Sequence, residues 1–166
     1  VENCIAYNNS GDASLGYYKY GIIVSDNSPD ASGWVANVEI LNTVIHDIAR
    51  DGFCLYPGSS GMVSNVTIRG CEVYNTCKDP AYSEGHGILI KGDVRNSVIE
   101  YNYAHDVNSS AVFINGPETG TGTGPTGCAV RYNVLQTADN NGVIRFYGTG
   151  NKSMDVYGNK IGRAHV

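Results

Sequence analysis

The sequence SVIEYNYAHDV at residues 97–107 decides the fold, because the chain repeats its pattern. Each copy has Ile or Val at its third position, Asn, Thr or Cys at its sixth and an apolar residue at its eighth. The other copies are VEILNTVIHDI at 38–48, VTIRGCEVYNT at 66–76, CAVRYNVLQTA at 128–138 and MDVYGNKIGRA at 154–164. The third positions are spaced by 28, 31, 31 and 26 residues along the chain. A repeat of this length predicts a solenoid or an array.

A second motif follows the first in each unit, a Gly or Ala and then four mostly apolar residues. Its copies are GIIVS at 21–25, GFCLY at 52–56, GILIK at 87–91, AVFIN at 111–115 and GVIRF at 142–146. Both motifs are rich in β-branched residues and alternate with period two, which predicts half-buried strands. We therefore expect an all-β parallel β-helix of about five to six coils with three short strands per coil.

One column of the repeat is small and mainly polar. We expect its members to lie inside the tight turn, where an Asn amide can bond the backbone and the next Asn of the stack. Gly70 and Gly158 precede the column, which fits a turn with unusual backbone angles. The column contains Cys4, Thr43, Cys71, Asn102, Asn133 and Asn159.

The composition and net charge limit the classes of partner that the protein can have. The chain has 166 residues, which is about one domain, and a net charge of −5. An acidic balance argues against a nucleic-acid partner, since such proteins carry a basic stripe. No apolar run approaches the roughly 18 residues of a membrane-spanning helix. We therefore expect neither a nucleic acid nor a membrane as partner.

The stretches IEYNYAHDV, AVRYNVLQT and MDVYGNKI resemble repeats of the right-handed parallel β-helices in the pectate-lyase-like superfamily. That group includes pectate and alginate lyases, epimerases, some glycosidases, tailspikes and non-catalytic carbohydrate-binding modules, some of which accompany xylanases. The resemblance covers nearly the whole chain and implies one β-helix domain over 1–166. Neither end has the polar cap of a solenoid, so we expect a module or fragment of a larger protein.

The third strand of each coil carries the candidate site. With Ile22, Phe53, Ile88, Val112 and Val143 pointing inward, one outward column is wholly apolar, and an exposed stripe of this kind predicts a ligand groove. The alternative is that the long loops fold over the stripe and bury it. Arg145 falls on an inward position in this register, which indicates a bulge in the last coil. The outward residues are Ile23, Cys54, Leu89, Phe113 and Ile144, followed by Ser25, Tyr56, Lys91, Asn115 and Phe146.

The resemblance implies that this face and its flanking loops bind sugar. Aromatic rings can pack on the C–H face of a sugar, and Tyr adds a polar tip. Lys91 and Asn115 can bond hydroxyl or carboxylate groups. We interpret Trp34, the only Trp, as a loop anchor. The predicted ligand-binding residues are Tyr17, Tyr18, Tyr20, Tyr56, Tyr82, His86, Lys91, Phe113, Asn115 and Phe146.

The preferred function is a non-catalytic module that binds a plant cell-wall polysaccharide, with xylan as the preferred polymer. It would be covalently linked to a catalytic domain and secreted or held at the cell surface. Our outward register offers no pair of carboxylates at glycosidase separation. The alternative is a fragment of a polysaccharide lyase, epimerase or glycosidase acting on an acidic polymer, with Lys91, His86 and Arg145 as catalytic residues. A third possibility is a structural stack that polymerises end to end.

The sequence also predicts an ion-pair ladder, the role of two His–Asp pairs, and the state of metal sites and cysteines. Arg69, Glu100 and Arg131 should form an ion-pair ladder on the middle strand. The pairs His46–Asp47 and His105–Asp106 recur at one offset, which favours turn chemistry over an acid–base dyad. No cofactor is expected, although calcium at Asp26 and Asp30 stays open. Five Cys leave at least one free thiol, and Cys77 can reach either Cys71 or Cys54.

Overall fold

The structure, a computed structural model, describes residues 1–9, 19–26, 33–58, 61–79, 85–117, 123–137, 142–148, 150 and 153–163. Within these residues the chain forms seventeen strands and no helix. In chain order, β1 to β17 are Ile5–Asn9, Ile22–Val24, Trp34–Leu41, Val44–Ile48, Phe53–Leu55, Met62–Arg69, Glu72–Tyr74, Ile88–Lys91, Val94–Arg95, Val98–Glu100, Tyr103–Val107, Val112–Asn115, Thr126–Arg131, Val134–Thr137, Ile144–Tyr147, Ser153–Tyr157 and Lys160–Arg163.

The strands stack into three parallel sheets, which make the molecule a β-solenoid. Sheet I contains β3, β6, β9, β10, β13 and β16. Sheet II runs β1-β4-β7-β11-β14-β17, and sheet III runs β2-β5-β8-β12-β15. Each strand pairs with its equivalent one repeat away, as Ile68 of β6 pairs with Ile99 of β10. The all-β parallel solenoid predicted from the repeat is therefore confirmed.

Apolar columns from all three sheets meet in one continuous core. Of the inward residues expected on the third strands, Phe53, Ile88 and Val112 are fully buried, whereas Ile22 and Val143 are partly buried. Burying a side chain of this size contributes about 1.5–3 kcal/mol. The core stacks in columns because every pairing is parallel and in register over most of its length.

The internal Asn ladder is confirmed. Asn133 Oδ1 accepts hydrogen bonds from the backbone N–H of Asn102 at 2.9 Å and from Asn102 Nδ2 at 3.0 Å. Asn102 Nδ2 also donates to the carbonyl of Ile68 at 2.9 Å. The same pattern joins Asn133 to Asn159. Because Asn102 and Asn133 are buried, these bonds satisfy backbone groups at the turn that water cannot reach.

The register of the last coil differs from our expectation. Ile144, not Val143, pairs with Val112 of the core column, and Arg145 pairs with the outward residue Phe113. Phe146 therefore pairs with Ile114, in a core column, so its expected place on the outward face is wrong. The physical reason is that an inward Arg145 would bury a guanidinium among apolar side chains.

The outward ladders on the other sheets form as expected. Arg69 Nε and Arg131 Nε donate to opposite oxygens of Glu100, each at 2.7 Å. On sheet II the rings of His46 and Tyr74 stack with centroids 4.9 Å apart. The two disulfides considered for Cys77 are wrong, because all five cysteines are described and free.

Candidate functional site

The candidate site is a groove on the outer face of sheet III, and its floor is apolar. Cys54, Leu89 and Phe113, one residue from each of three successive strands, form a cluster separate from the core. Tyr20 and Tyr56 pack against this cluster. All three floor residues are at most 7% exposed. The expected open stripe is therefore wrong at these positions, because they are covered.

Beside this floor the surface encloses a groove of about 300 Å³. Its chemistry is cationic and aromatic, because three permanent cations point into one volume beside two rings. The described residues that line it include no carboxylate. They are Arg50, His86, Leu89, Lys91, Phe113, Asn115, Arg145 and Tyr147.

Aromatic faces hold two of these cations in place. Lys91 Nζ lies 5.4 Å from the centre of the Tyr56 ring. The guanidinium carbon of Arg145 lies 5.0 Å from the centre of the Phe113 ring and 5.9 Å from that of Tyr147. Such contacts are worth about 0.5–2 kcal/mol each. The rings therefore help to orient both cations beside the groove.

The third cation lies at the bend between sheets II and III. Arg50 Nη1 donates to the Tyr20 hydroxyl at 3.4 Å, and its Nε lies 3.3 Å from Asp51 Oδ2. Burial raises the pKa of Tyr20, so its phenol stays neutral. Burial likewise raises the pKa of Cys54 and keeps that thiol protonated. The floor therefore contributes no negative charge of its own at neutral pH.

Asp51 and Ser110 fix His86 in the groove wall. The fully buried Asp51 accepts the backbone N–H of His86 at 2.7 Å. The backbone N–H of Ser110 donates to His86 Nδ1 at 3.3 Å. Because Nδ1 is an acceptor, the neutral ring carries its proton on Nε2. The ring packs against Phe113 with centroids 4.3 Å apart.

Sequence reasoning found much of this groove and missed Arg50. The sequence places Tyr147 along this strand face, although the predicted ligand-binding residues do not include it. Arg50 was missed because it lies in a bend outside both repeated motifs. Tyr17, Tyr18 and Tyr82 lie outside the described residues, as does Asp30. The predicted residues that line the groove are His86, Lys91, Phe113 and Asn115, with Arg145 from the catalytic alternative.

Two further features bear on the site. In the part of the chain that the structure describes, no group of three or more His, Cys, Asp and Glu residues is arranged to hold a metal ion. Those same residues contain no helix long and apolar enough to cross a membrane.

Comparison of the chain with protein families, with curated proteins and with solved structures finds no match. The fold and the groove themselves define the class of the protein, which is a parallel β-solenoid with a cationic, aromatic groove on one sheet.

Proposed function

We propose that the protein binds a plant cell-wall polysaccharide in the sheet III groove, as a module attached to a secreted or surface-held catalytic domain. The observation that carries the proposal is the convergence of Arg50, Lys91 and Arg145 in one groove. The exposed ring of Tyr147 and the buried ring of Phe113 lie beside them. No described carboxylate shares the lining with them. A groove of this charge in an acidic chain selects an anionic ligand.

The ligand chemistry follows from these side chains. Guanidinium groups bind carboxylates through paired N–H donors, and Tyr147 offers a ring face to sugar C–H groups. Asn115 lies in the same groove and adds an amide for hydroxyl groups. Xylan remains the proposed polymer, in a form whose side groups carry uronate. Affinity in the micromolar to millimolar range, roughly −8 to −4 kcal/mol, suits a short contact of this kind.

Affinity electrophoresis tests the proposal. The chain is run through gels containing unsubstituted xylan, uronate-substituted xylan, polygalacturonate or no polymer. We expect retardation on the uronate polymers, and a clear loss of it in Lys91→Ala with Arg145→Ala. Arg95→Ala removes one exposed cation on sheet I, and its retardation relative to the gel without polymer should equal that of the wild type. Equal retardation of all variants would place binding outside the groove.

A second candidate is catalysis on the same polymer, as a polysaccharide lyase or epimerase. One observation favours it: Lys91, His86 and Arg145 line a single groove. In such a reaction an Arg neutralises the uronate carboxylate while a base removes the proton at C5. In a lyase the C4–O4 bond then breaks and the departing O4 takes up a proton, whereas in an epimerase a proton returns to the opposite face of C5. Release of unsaturated oligosaccharides, seen by their ultraviolet absorbance, would establish the lyase. Retardation without any product supports the binding module.

A further inference from the structure

A second feature lies at the corner between sheets I and II, which does not border sheet III. The residue just before the ladder column has positive φ in every repeat. This left-handed region suits Gly and Asn and strains larger residues. Tyr101 and Tyr132 nevertheless occupy it, at φ of 56° and 55°. The other repeats have Asn3, Asn42, Gly70 and Gly158 there.

The two strained tyrosines form one exposed surface. Their rings stack with centroids 5.3 Å apart and an angle of 18° between the planes. Tyr101 is 58% exposed and Tyr132 45% exposed. The core therefore does not require either ring, and strain kept at an exposed site points to a function.

Glycines border this tyrosine pair on both sides. A Cβ on Gly158 would lie 2.6 Å from two carbon atoms of the Tyr132 ring, so this ring covers the following coil. The three atoms nearest to a Cβ on Gly70 all belong to Asn42, with its Oδ1 at 2.5 Å. The side chain of Asn42 therefore lies over Gly70, and Gly70 itself adds no side chain next to the Tyr101 ring.

The charges near the corner are largely paired. Glu100 bonds both Arg69 and Arg131, and Arg131 Nη1 also donates to the Tyr157 hydroxyl at 3.0 Å. Tyr157 meets Tyr132 edge to face, with centroids 5.4 Å apart. The corner thus offers the Tyr101 face that does not contact Tyr132 and the exposed, hydroxyl-bearing edges of both rings. The one carboxylate beside them is shared by two guanidinium groups.

We infer that Tyr101 and Tyr132 form a second carbohydrate-binding site, which takes the C–H face of an uncharged pyranose. The inference rests on the proposed function for its ligand class, but on different residues. Because the corner does not border the groove, the two sites would hold separate polymer segments. Binding at both would raise the retention of a long polymer above that of either site.

The test uses Tyr101→Asn and Tyr132→Asn, because Asn already occupies this position at Asn42. We expect each variant to unfold at the same or a higher temperature, since the strain is relieved. We also expect the double variant to lose about tenfold in affinity for unsubstituted xylan. Asn42→Gly changes the same corner without touching a ring and should bind as the wild type does. Tyr101→Phe keeps the face and should also retain binding.

The outcomes distinguish the second site from binding in the sheet III groove. Unchanged xylan affinity in the double asparagine variant, with a lowered melting temperature, would show that the rings only pack and would overturn the second site. If the tyrosine variants lost binding and the Lys91→Ala, Arg145→Ala double variant kept it, the second site would be supported and binding in the groove would be overturned. If the double variant lost binding and the tyrosine variants kept it, only the second site would be overturned. A wild-type chain that no polysaccharide retards would overturn both.

Discussion

The guanidinium of Arg145 lies against the Phe113 ring, 5.0 Å from its centre, because these two residues are register partners on neighbouring strands of sheet III. The pair joins the apolar floor to the cationic groove. It exists because the last coil is shifted by one residue from the alignment that the repeated glycine implies.

Replacing Arg145 should weaken binding with little effect on folding. Arg145→Ala is expected to lower affinity for polygalacturonate about tenfold, since one cation–carboxylate contact is lost. The loss should shrink as salt rises, because added ions screen the same attraction. Titration calorimetry at two salt concentrations measures both effects. A loss of affinity that is independent of salt would contradict a role for its charge.

The Asn ladder should be the most sensitive polar feature of the fold. Asn102→Ala leaves the buried N–H of Cys71 and the carbonyl of Ile68 without their partner. Each unsatisfied buried group costs about 1–3 kcal/mol, so we expect a loss of about 3 kcal/mol in the free energy of unfolding. Urea denaturation measures it.

The control for the ladder is Asn65→Gly. Asn65 makes an exposed side-chain bond to Asn37 and has a positive φ that Gly tolerates. Its cost should stay within about 0.5 kcal/mol. If both variants lost the same stability, burial of the ladder would not be the reason for its effect.

Glu100 should make stability depend on pH. Burial opposes its ionisation, but hydrogen bonds and charge from Arg131 and Arg69 outweigh it and lower its pKa below the ordinary 4.5. A carboxyl with a lowered folded pKa stabilises fully above the unfolded value and loses this contribution as pH falls through the folded pKa.

The matching variant isolates that contribution. The difference in melting temperature between the wild type and Glu100→Gln should be constant near neutral pH and shrink below about pH 4.5. Other carboxylates titrate in both proteins and cancel in the difference. A difference that stayed constant down to pH 2 would contradict the assignment.

Gly52, which precedes the third strand β5, should not tolerate a methyl group. A Cβ on Gly52 would lie 2.7 Å from the carbonyl oxygen of Gly87 and 2.3 Å from a methyl of Val73. We expect Gly52→Ala to lower the free energy of unfolding by about 1–3 kcal/mol. Ala111 occupies the equivalent place in a later coil, so Ala111→Gly should be milder. Thermal denaturation of both variants tests the contrast.

Much of the fold could be predicted because each coil of a solenoid repeats the same residue types at the same positions. Asn102 and Asn133 recur at one offset, and their offset alone indicated the ladder. Ile68 and Ile99 likewise fixed the register of sheet I. The expectation failed where the repeat is weakest, at Gly142 to Arg145. Aligning the motif on its glycine would place the Arg145 guanidinium in the core. Because burying that charge is costly, the strand is shifted by one residue, and the motif alone does not reveal this shift.

The groove was less predictable than the fold. Lys91, His86 and Asn115 could be placed because they belong to the second motif or directly precede it. Arg50 belongs to a bend whose conformation depends on Asp51 and on the neighbouring coil. No periodic signal marks such a residue, because its position is set by contacts between coils and not by its place in a strand.

The Asn ladder also gives the solenoid a direction. Each amide oxygen accepts from the coil that precedes it in sequence, as Asn133 does from Asn102 and Asn159 from Asn133. A coil that opens therefore withdraws a side-chain acceptor from a backbone N–H of its N-terminal neighbour, but only a backbone acceptor from the side-chain amide of its C-terminal neighbour. Hydrogen exchange of each backbone N–H along the ladder should consequently follow the opening of the coil on its C-terminal side.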